Sequence, residues 1–291
     1  MNQLKIAVMG ASGQVGFSVA QTLVNSGHQV RLMARKQDSV TALLGNGAEY
    51  MASDTKDKGS LFRAFEGVDA VYVMNPPNYM AQDMLEDAKE NTANIKEALI
   101  KAGVKKIVLV SSVGSHLPTG LGNIFTTRHI ELELRKLPFD VGVVRAAWFM
   151  ENWKNVAPVA HKDGVLPSLL VPLDRQIEMV SAVDIGRVCA EVLMSDKKSQ
   201  LIELAGPEPI SPNQAAESFS KALGKPIKAV PIAKSDIPNV FKGLPVKVIQ
   251  DWIEMVEGFN SGHIVFEKEG FAQVRGNISM TDVAKNLLSP I

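Results

Sequence analysis

Gly10-Ala11-Ser12-Gly13-Gln14-Val15-Gly16, near the start of the chain, carries the plainest chemical signal in the sequence. The apolar run Lys5 to Met9 precedes it, and the amphipathic stretch Gln14 to Ser26 follows. Glycines at the spacing G-x-x-G-x-x-G allow a sharp turn, close approach of the backbone to a pyrophosphate, and tight contact between helix and strand. The helix that follows would turn free N–H groups and the positive end of its dipole toward phosphates. A glycine turn with no ligand shares this spacing. The order strand, loop, helix favours a ligand and predicts a dinucleotide site at Gly10, Ser12, Gly13, Gln14, Val15 and Gly16.

The end of the second apolar run refines that expectation. A domain selecting NAD usually offers Asp or Glu there for the ribose hydroxyls. This sequence reads Leu32-Met33-Ala34-Arg35-Lys36 instead. The planar fork of Arg35 can hold a 2′-phosphate, and Lys36 adds charge. NADP(H) is therefore expected over NAD(H), although Asp38 nearby softens the field. The third run ends in Ala52-Ser53-Asp54, where an acid can accept from an adenine amino group. The fourth ends in Met74-Asn75-Pro76-Pro77, where the prolines stiffen the loop beneath a cofactor and Asn75 and Pro76 are expected to touch it.

Candidate catalytic groups lie further on. Ser111 and Ser112 end a strand beside the expected nicotinamide and can position it. His129 can donate to the nicotinamide ribose or protonate a reduced substrate near neutral pH. Glu133, one helical turn on, can orient or charge that histidine. Packing beside the cofactor is the plainer role for His129. Phe125, Trp148, Phe149 and Trp153 are candidates to line an apolar pocket, with Asn152 beside them.

These residues need a scaffold, and the chain pattern supplies one. Short β-branched runs alternate with amphipathic stretches: Gln29 to Met33, Ala48 to Ala52, Ala70 to Met74, Lys106 to Val110 and Asp140 to Val144, separated by Ser39 to Gly45, Ser60 to Gly67, Gln82 to Ala102 and Asn123 to Lys136. Strands spaced by helices imply right-handed crossovers and a parallel sheet, and continuous apolar strands imply cover on both faces. The expected fold is α/β: a Rossmann-type doubly wound parallel sheet with a smaller C-terminal α+β substrate lobe. The dinucleotide-binding domain is expected over 1–152, with a return to it around 180–205, and the lobe over 153–291. Prolines at 158, 167 and 172 break up 156–173. Val183 to Met194 reads as a helix, Leu201 to Leu204 as a strand, and Ser211-Pro212 opens another helix. Beyond Pro231 the pattern mixes helix and loop.

Composition excludes several classes. The chain has 291 residues, with Lys+Arg 31 against Asp+Glu 31, so no global charge favours nucleic acid or an anionic membrane. Cys189 is the single cysteine, which excludes an internal disulfide and a multi-thiolate zinc site. Its apolar neighbours place it in helix packing. No apolar run is long enough to span a bilayer, and a cytoplasmic setting is expected.

Several segments resemble a known family. The glycine spacing is similar to that of atypical and extended short-chain dehydrogenases, and Val108-Leu109-Val110-Ser111-Ser112-Val113-Gly114 resembles their strand-five signature. Val143-Val144-Arg145-Ala146-Ala147-Trp148-Phe149-Met150-Glu151-Asn152 resembles the Arg-x-x-x-Phe-x-Glu-Asn signature of the NmrA-like branch. Val183-Asp184-Ile185-Gly186 and Leu204-Ala205-Gly206-Pro207-Glu208 resemble it too. The resemblance runs from residue 4 to about 232. It implies a Rossmann core, a small C-terminal substrate lobe, and kinship with NAD(P)H-dependent quinone oxidoreductases and catalytically silent redox sensors. The family's Tyr-x-x-x-Lys acid falls here on Phe125 and His129. A phenyl ring cannot donate a proton, so ordinary carbonyl reduction is not expected. A quinone accepts hydride with less help. The expected activity is reduction of a quinone or similar conjugated acceptor, with a small apolar or aromatic molecule as partner. The alternative is a silent NADP(H) sensor acting through a protein partner. A nucleotide-sugar epimerase would need the missing tyrosine, and direct nucleic-acid binding lacks a basic recognition helix.

Overall fold

The computed structural model describes residues 3–45 and 47–289. Its first half runs β1 (Lys5–Val8), α1 (Gln14–Asn25), β2 (Gln29–Ala34), β3 (Ala48–Ala52), α2 (Lys58–Phe65), β4 (Ala70–Val73), α3 (Met84–Ala102), β5 (Lys106–Ser112), α4 (Ile124–Leu134) and β6 (Asp140–Ala146). The second half adds β7 (Trp148–Phe149), α5 (Ala157–Asp163), β8 (Val165–Ser168), β9 (Met179–Val180), α6 (Ala182–Met194), β10 (Leu201–Ala205), α7 (Pro212–Leu223), β11 (Lys228–Pro231), α8 (Ile237–Val240), α9 (Val246–Ser261), β12 (Ala272–Arg275) and α10 (Met280–Leu288).

Eight strands form one sheet in the order β12-β10-β6-β5-β4-β1-β2-β3, and every pairing is parallel. This is a Rossmann-type doubly wound sheet. The chain order reverses between β1 and β4, and the crevice beyond their C-terminal ends is where such sheets take ligands. Both faces are covered, which is why the strands read as continuous apolar runs. One core packs α1 and α6 on one face through residues such as Val19, Leu23, Ile185 and Cys189. The other packs α2, α3 and α4 through Leu61, Phe65, Ile95 and Ile130. A third core, around Trp148, Trp153, Phe219 and Phe259, lies outside the sheet in the second half. Two short parallel pairs, β7 with β9 and β8 with β11, frame it.

Two expectations are corrected. Ser39 to Gly45 does not form a regular helix; Gln37–Leu43 is a 3₁₀ turn that buries only Val40 and Leu43. The tail is not merely helix and loop, because Ala272–Arg275 joins the main sheet beside β10, pairing Ile202 with Ala272 through Ala205 with Arg275. β12 is an edge strand with mostly exposed residues, so it lacks the apolar run that would have announced it.

The segment Val183-Asp184-Ile185-Gly186 turns out to be joinery. A β-carbon on Gly186 would stand 2.4 Å from the Ser18 side chain and 2.8 Å from the Val19 amide, so only glycine lets α6 cross α1 this closely. The Ser18 hydroxyl donates to the Val183 carbonyl at 3.0 Å. Asp184 accepts the N–H groups of Asn277 and Ile278 at 3.0 and 2.9 Å, tying the chain after β12 to the start of α6. Gly186→Val is therefore expected to cost about 1–3 kcal/mol by overpacking. The midpoint of urea unfolding measures this, and an unchanged midpoint would show that α1 and α6 do not meet so tightly.

Candidate active site

The glycine loop divides its labour among its three glycines. Gly10 has φ +61°, a left-handed conformation that favours glycine. A β-carbon on Gly16 would lie 2.2 Å from the Gly10 carbonyl oxygen, so packing forbids one. Gly13 answers to neither demand: its φ is −87°, and an added β-carbon would meet only the Gly10 oxygen, at 3.3 Å. Its bare Cα lines the cleft, leaving backbone free to approach a ligand. No side chain caps α1, and its first turn holds no acid. Free N–H groups and the helix dipole therefore face the cleft, as an anion site requires.

That cleft has a volume of about 450 Å³ and lies beyond the ends of β1, β4, β5 and β6. Gln14, Val15 and Gly16 line it with Gly10 and Gly13. Met74, Asn75 and Pro77 enter from the end of β4, Ser111 and Ser112 from β5, and Asn123, Ile124, Thr126 and Thr127 from the start of α4. Trp148, Phe149, Trp252, Met255 and Phe259 form an apolar wall, with the Trp148 and Phe259 rings edge to face at 4.9 Å. The Asn75 Oδ1 and both amide atoms of Asn123 are buried without a partner. Buried amides ordinarily find partners, because leaving one unpaired costs about 1–3 kcal/mol. Two such amides beside a glycine cradle fit the polar ribose and carboxamide groups of a nicotinamide dinucleotide.

A buried charge network lies behind Ser111. The Arg145 guanidinium donates to both Glu131 carboxylate oxygens, at 2.7 and 3.1 Å, and to Glu267 at 2.6 Å; Glu203 lies 3.6 Å away. The Phe271 ring lies 4.0 Å from the guanidinium carbon. The Ser111 hydroxyl donates to Glu131 at 2.6 Å, so its orientation at the cleft is fixed from behind. The Ser112 hydroxyl donates to the Val113 carbonyl at 3.1 Å.

The sequence profile of the NmrA-like family matches residues 2–282. This chain belongs to the NmrA-like family. It is 30% identical over 228 residues to a (4-alkanoyl-5-oxo-2,5-dihydrofuran-3-yl)methyl phosphate reductase of Streptomyces griseus, covering 77% of this chain and 75% of the relative. Its fold is similar to that of an NADPH-dependent quinone oxidoreductase of Escherichia coli solved with NADPH, with a TM-score of 0.80, 22% identity, and coverage of 98% and 100%. It is also similar to NmrA, a negative transcriptional regulator solved with NAD, with a TM-score of 0.75, 17% identity, and coverage of 99% and 96%.

Within this NmrA-like chain the structure gathers some of the expected site residues and disperses others. Gly10, Gly13, Gln14, Val15, Gly16, Asn75, Ser111, Ser112, Trp148, Phe149 and Asn152 line one cleft. Ser12 is exposed on the glycine loop, and Pro77 rather than Pro76 borders the cleft. Arg35 and Lys36 are exposed just past β2, next to the loop, where the Ala11 amide donates to the Met33 carbonyl at 3.2 Å. Asp54 is exposed and accepts the Lys56 amide at 2.9 Å. Phe125 does not line the cleft; it packs against the core of the second half.

His129 does not line the cleft either. Its charged neighbours are Glu133 on α4, Lys136 just past its end, and Lys89 and Glu86 on α3, and partial burial lowers its pKa. The physical reason is helical phase. Thr127 faces the cleft, and two residues on, at about 100° each, the side chain has turned to the far side. Glu133, ionised because Lys136 and Lys96 (3.0 Å away) hold its carboxyl down at about 2, favours the charged form of His129, but burial of the ring outweighs it. Asn123, Ile124, Thr126 and Thr127, at the start of α4, meet the cleft, and the buried face of the helix runs on through Ile130, Glu131 and Leu134.

Glu151, the acid of the Arg-x-x-x-Phe-x-Glu-Asn segment, adjoins Asn152. One oxygen accepts the Ala182 amide at 2.9 Å, the other is buried without a partner, and burial pushes its pKa up.

Gly13→Asp is expected to abolish dinucleotide binding while the protein stays folded, because a carboxylate would occupy the bare approach. Calorimetry with NADPH, alongside a melting curve, would refute the cradle if affinity were retained. His129→Ala is expected to leave NADPH affinity within about twofold, since it removes no cleft contact; a loss of about tenfold, or 1.4 kcal/mol, would return the histidine to the cofactor.

Proposed function

We propose that this chain is an NAD(P)H-dependent oxidoreductase that reduces a quinone or similar conjugated acceptor, with NADP(H) preferred over NAD(H). The observation that carries the proposal is the composition of the cleft: a glycine cradle and two unpartnered amides open directly onto an aromatic wall. When bound, the dinucleotide supplies the hydride. The α1 N-terminus and the bare Gly13 would hold its pyrophosphate, Arg35 and Lys36 its 2′-phosphate, and Asn75 and Asn123 its nicotinamide half. Trp148, Phe149 and Phe259 would stack the acceptor and exclude water.

The acceptor class follows from what α4 lacks. Its cleft-facing residues are Asn123, Ile124, Thr126 and Thr127, with no tyrosine or lysine among them. A simple ketone needs an acid to trap its alkoxide, and none stands in the family's usual place. A quinone or other conjugated acceptor gives a stabilised anion that water can protonate. The relative named for a dihydrofuranone phosphate acts on a conjugated ring of this general kind. Cys189 is buried and free, and no helix among the described residues is long and apolar enough to cross a membrane; we place the chain in the cytoplasm, where a buried thiol stays reduced.

The test is NADPH oxidation with a panel of quinones, repeated with NADH. Turnover that is faster with NADPH is expected. Tight NADPH binding with no acceptor reduced would overturn the enzyme and leave a sensor with a protein partner. Arg35→Asp is expected to weaken NADPH about tenfold or more, the value of a lost charge-assisted contact, while NADH is little changed. Equal loss of both cofactors would remove Arg35 from the 2′-phosphate.

A further inference from the structure

A second chamber of about 220 Å³ adjoins the cleft and shares Gln14, Trp148, Asn152 and Trp252 with it. Its walls are mostly apolar, Trp153, Leu169, Leu170, Ile232 and Phe241 among them, with Glu151, Lys154 and Asn155 as further polar members. Trp252, which borders both spaces, is braced, stacked on Phe241 at 4.9 Å and tilted against Tyr79 at 5.8 Å. The chamber is not uniformly greasy. Trp153 is only 4% exposed, and its indole N–H is buried with no partner. Tryptophan is a donor only, and a buried one usually finds an acceptor. No protein group supplies one here.

We propose that the acceptor substrate carries an apolar side arm with an oxygen in it, and that this chamber receives the arm, the indole N–H of Trp153 donating to that oxygen. The proposal rests on the reductase function proposed above and narrows its substrate class. At roughly 30 Å³ per water-sized group, the chamber takes an arm of about seven heavy atoms. The conjugated ring stays in the main cleft against Trp148 and Phe259. The arm passes Trp252 and ends near Leu170. An arm of carbon alone gains burial but leaves the indole unpaired. An ester, ether or ketone oxygen satisfies it. The chamber thus selects for the oxygen, because a site built around a polar group rejects an analogue that leaves it unpaired.

Three naphthoquinones with the same ring and similar reactivity test this: one bearing a methyl group, one a hexyl arm, and one a 3-acetoxypropyl arm, whose ester is insulated from the ring by its saturated spacer. In the wild type, kcat/KM is expected to rise at least tenfold from methyl to acetoxypropyl, with hexyl between them. Trp153→Phe keeps the ring and removes the N–H; it is expected to bring acetoxypropyl down to the hexyl value while hexyl and methyl keep their ratio. Leu170→Trp fills the chamber and is expected to erase the advantage of both arms. Equal kcat/KM for all three in the wild type, or an equal loss for all three in Trp153→Phe, would overturn the proposal. If NADPH binds but no quinone is reduced, the reductase function falls, and calorimetry with the oxidised quinones on the NADPH complex decides the chamber separately. Tenfold tighter binding of the acetoxypropyl compound, lost in Trp153→Phe, would keep it; equal affinities would overturn it.

Discussion

The ion network centred on Arg145 is the constraint on which most of this molecule rests. Arg145 closes β6, Glu131 comes from α4, Glu203 from β10, and Glu267 from the segment leading into β12. Arg145 is 3% exposed and Glu131 1%, so the charges lie in a medium where removing one partner costs several kcal/mol. The excess of carboxylates is met by N–H groups. Glu203 accepts the amides of Glu267 and Lys268 at 2.8 and 2.9 Å and the Gln273 side chain at 2.9 Å. Those bonds fix the turn that lets the chain return to the sheet as β12. The same Glu131 that grips Arg145 also holds Ser111 at the cleft. One guanidinium therefore sets the spacing of helix, strands and tail, and through a single carboxylate it orients a cleft side chain.

Closure of the cleft has a comparable origin. α9 supplies Trp252, Met255 and Phe259, and it lies almost directly on the loop that leads into α4. A β-carbon on Gly122 would stand 1.9 Å from the Asp251 carbonyl oxygen. On the other side, one on Gly258 would stand 2.5 Å from the Ile264 side chain. These contacts leave no room for α9 to slide inward, so the aromatic wall keeps its distance from the glycine cradle. Asn123, whose amide has no partner, directly follows Gly122. α9 thus positions a polar group at the start of α4 as well as its own aromatics.

How much of this is legible in the sequence depends on periodicity. Buried parallel strands advertise themselves as apolar runs, and three glycines spaced by three at a strand-to-helix turn point to a phosphate cradle, so the sheet and the cradle can be read directly. β12 cannot, because an edge strand such as Ala272–Arg275 has no buried stripe to show. The phase of α4 is equally hidden. Matching Phe125 and His129 to a pattern of spacing four respects helical geometry but does not choose which of the staggered faces meets the sheet. Tertiary pairing chooses it, through Glu131 reaching Arg145 and Ser111, and those partners lie 14 and 20 residues away. Trp153 is recognisable as an aromatic, but its orphaned N–H is a property of three-dimensional surroundings and leaves no trace in spacing.

The registry of α4 also bears on the chemistry. A helix that presented an acid to the nicotinamide would protonate a carbonyl oxygen as hydride arrived. The start of this helix offers the cleft Asn123, Ile124, Thr126 and Thr127, and Glu131, further along its buried face, is committed to Arg145 and Ser111. The first four include no acid, and the one carboxylate is already engaged on both oxygens. The protein therefore contributes little proton donation from this side, and the burden of stabilising the product anion passes to the substrate. Acceptors whose reduced form is stabilised by conjugation meet that demand without help. The same substitution that silences ordinary carbonyl chemistry thus acts as a filter on substrate class, and the aromatic wall and side chamber can vary to choose among the molecules that pass it.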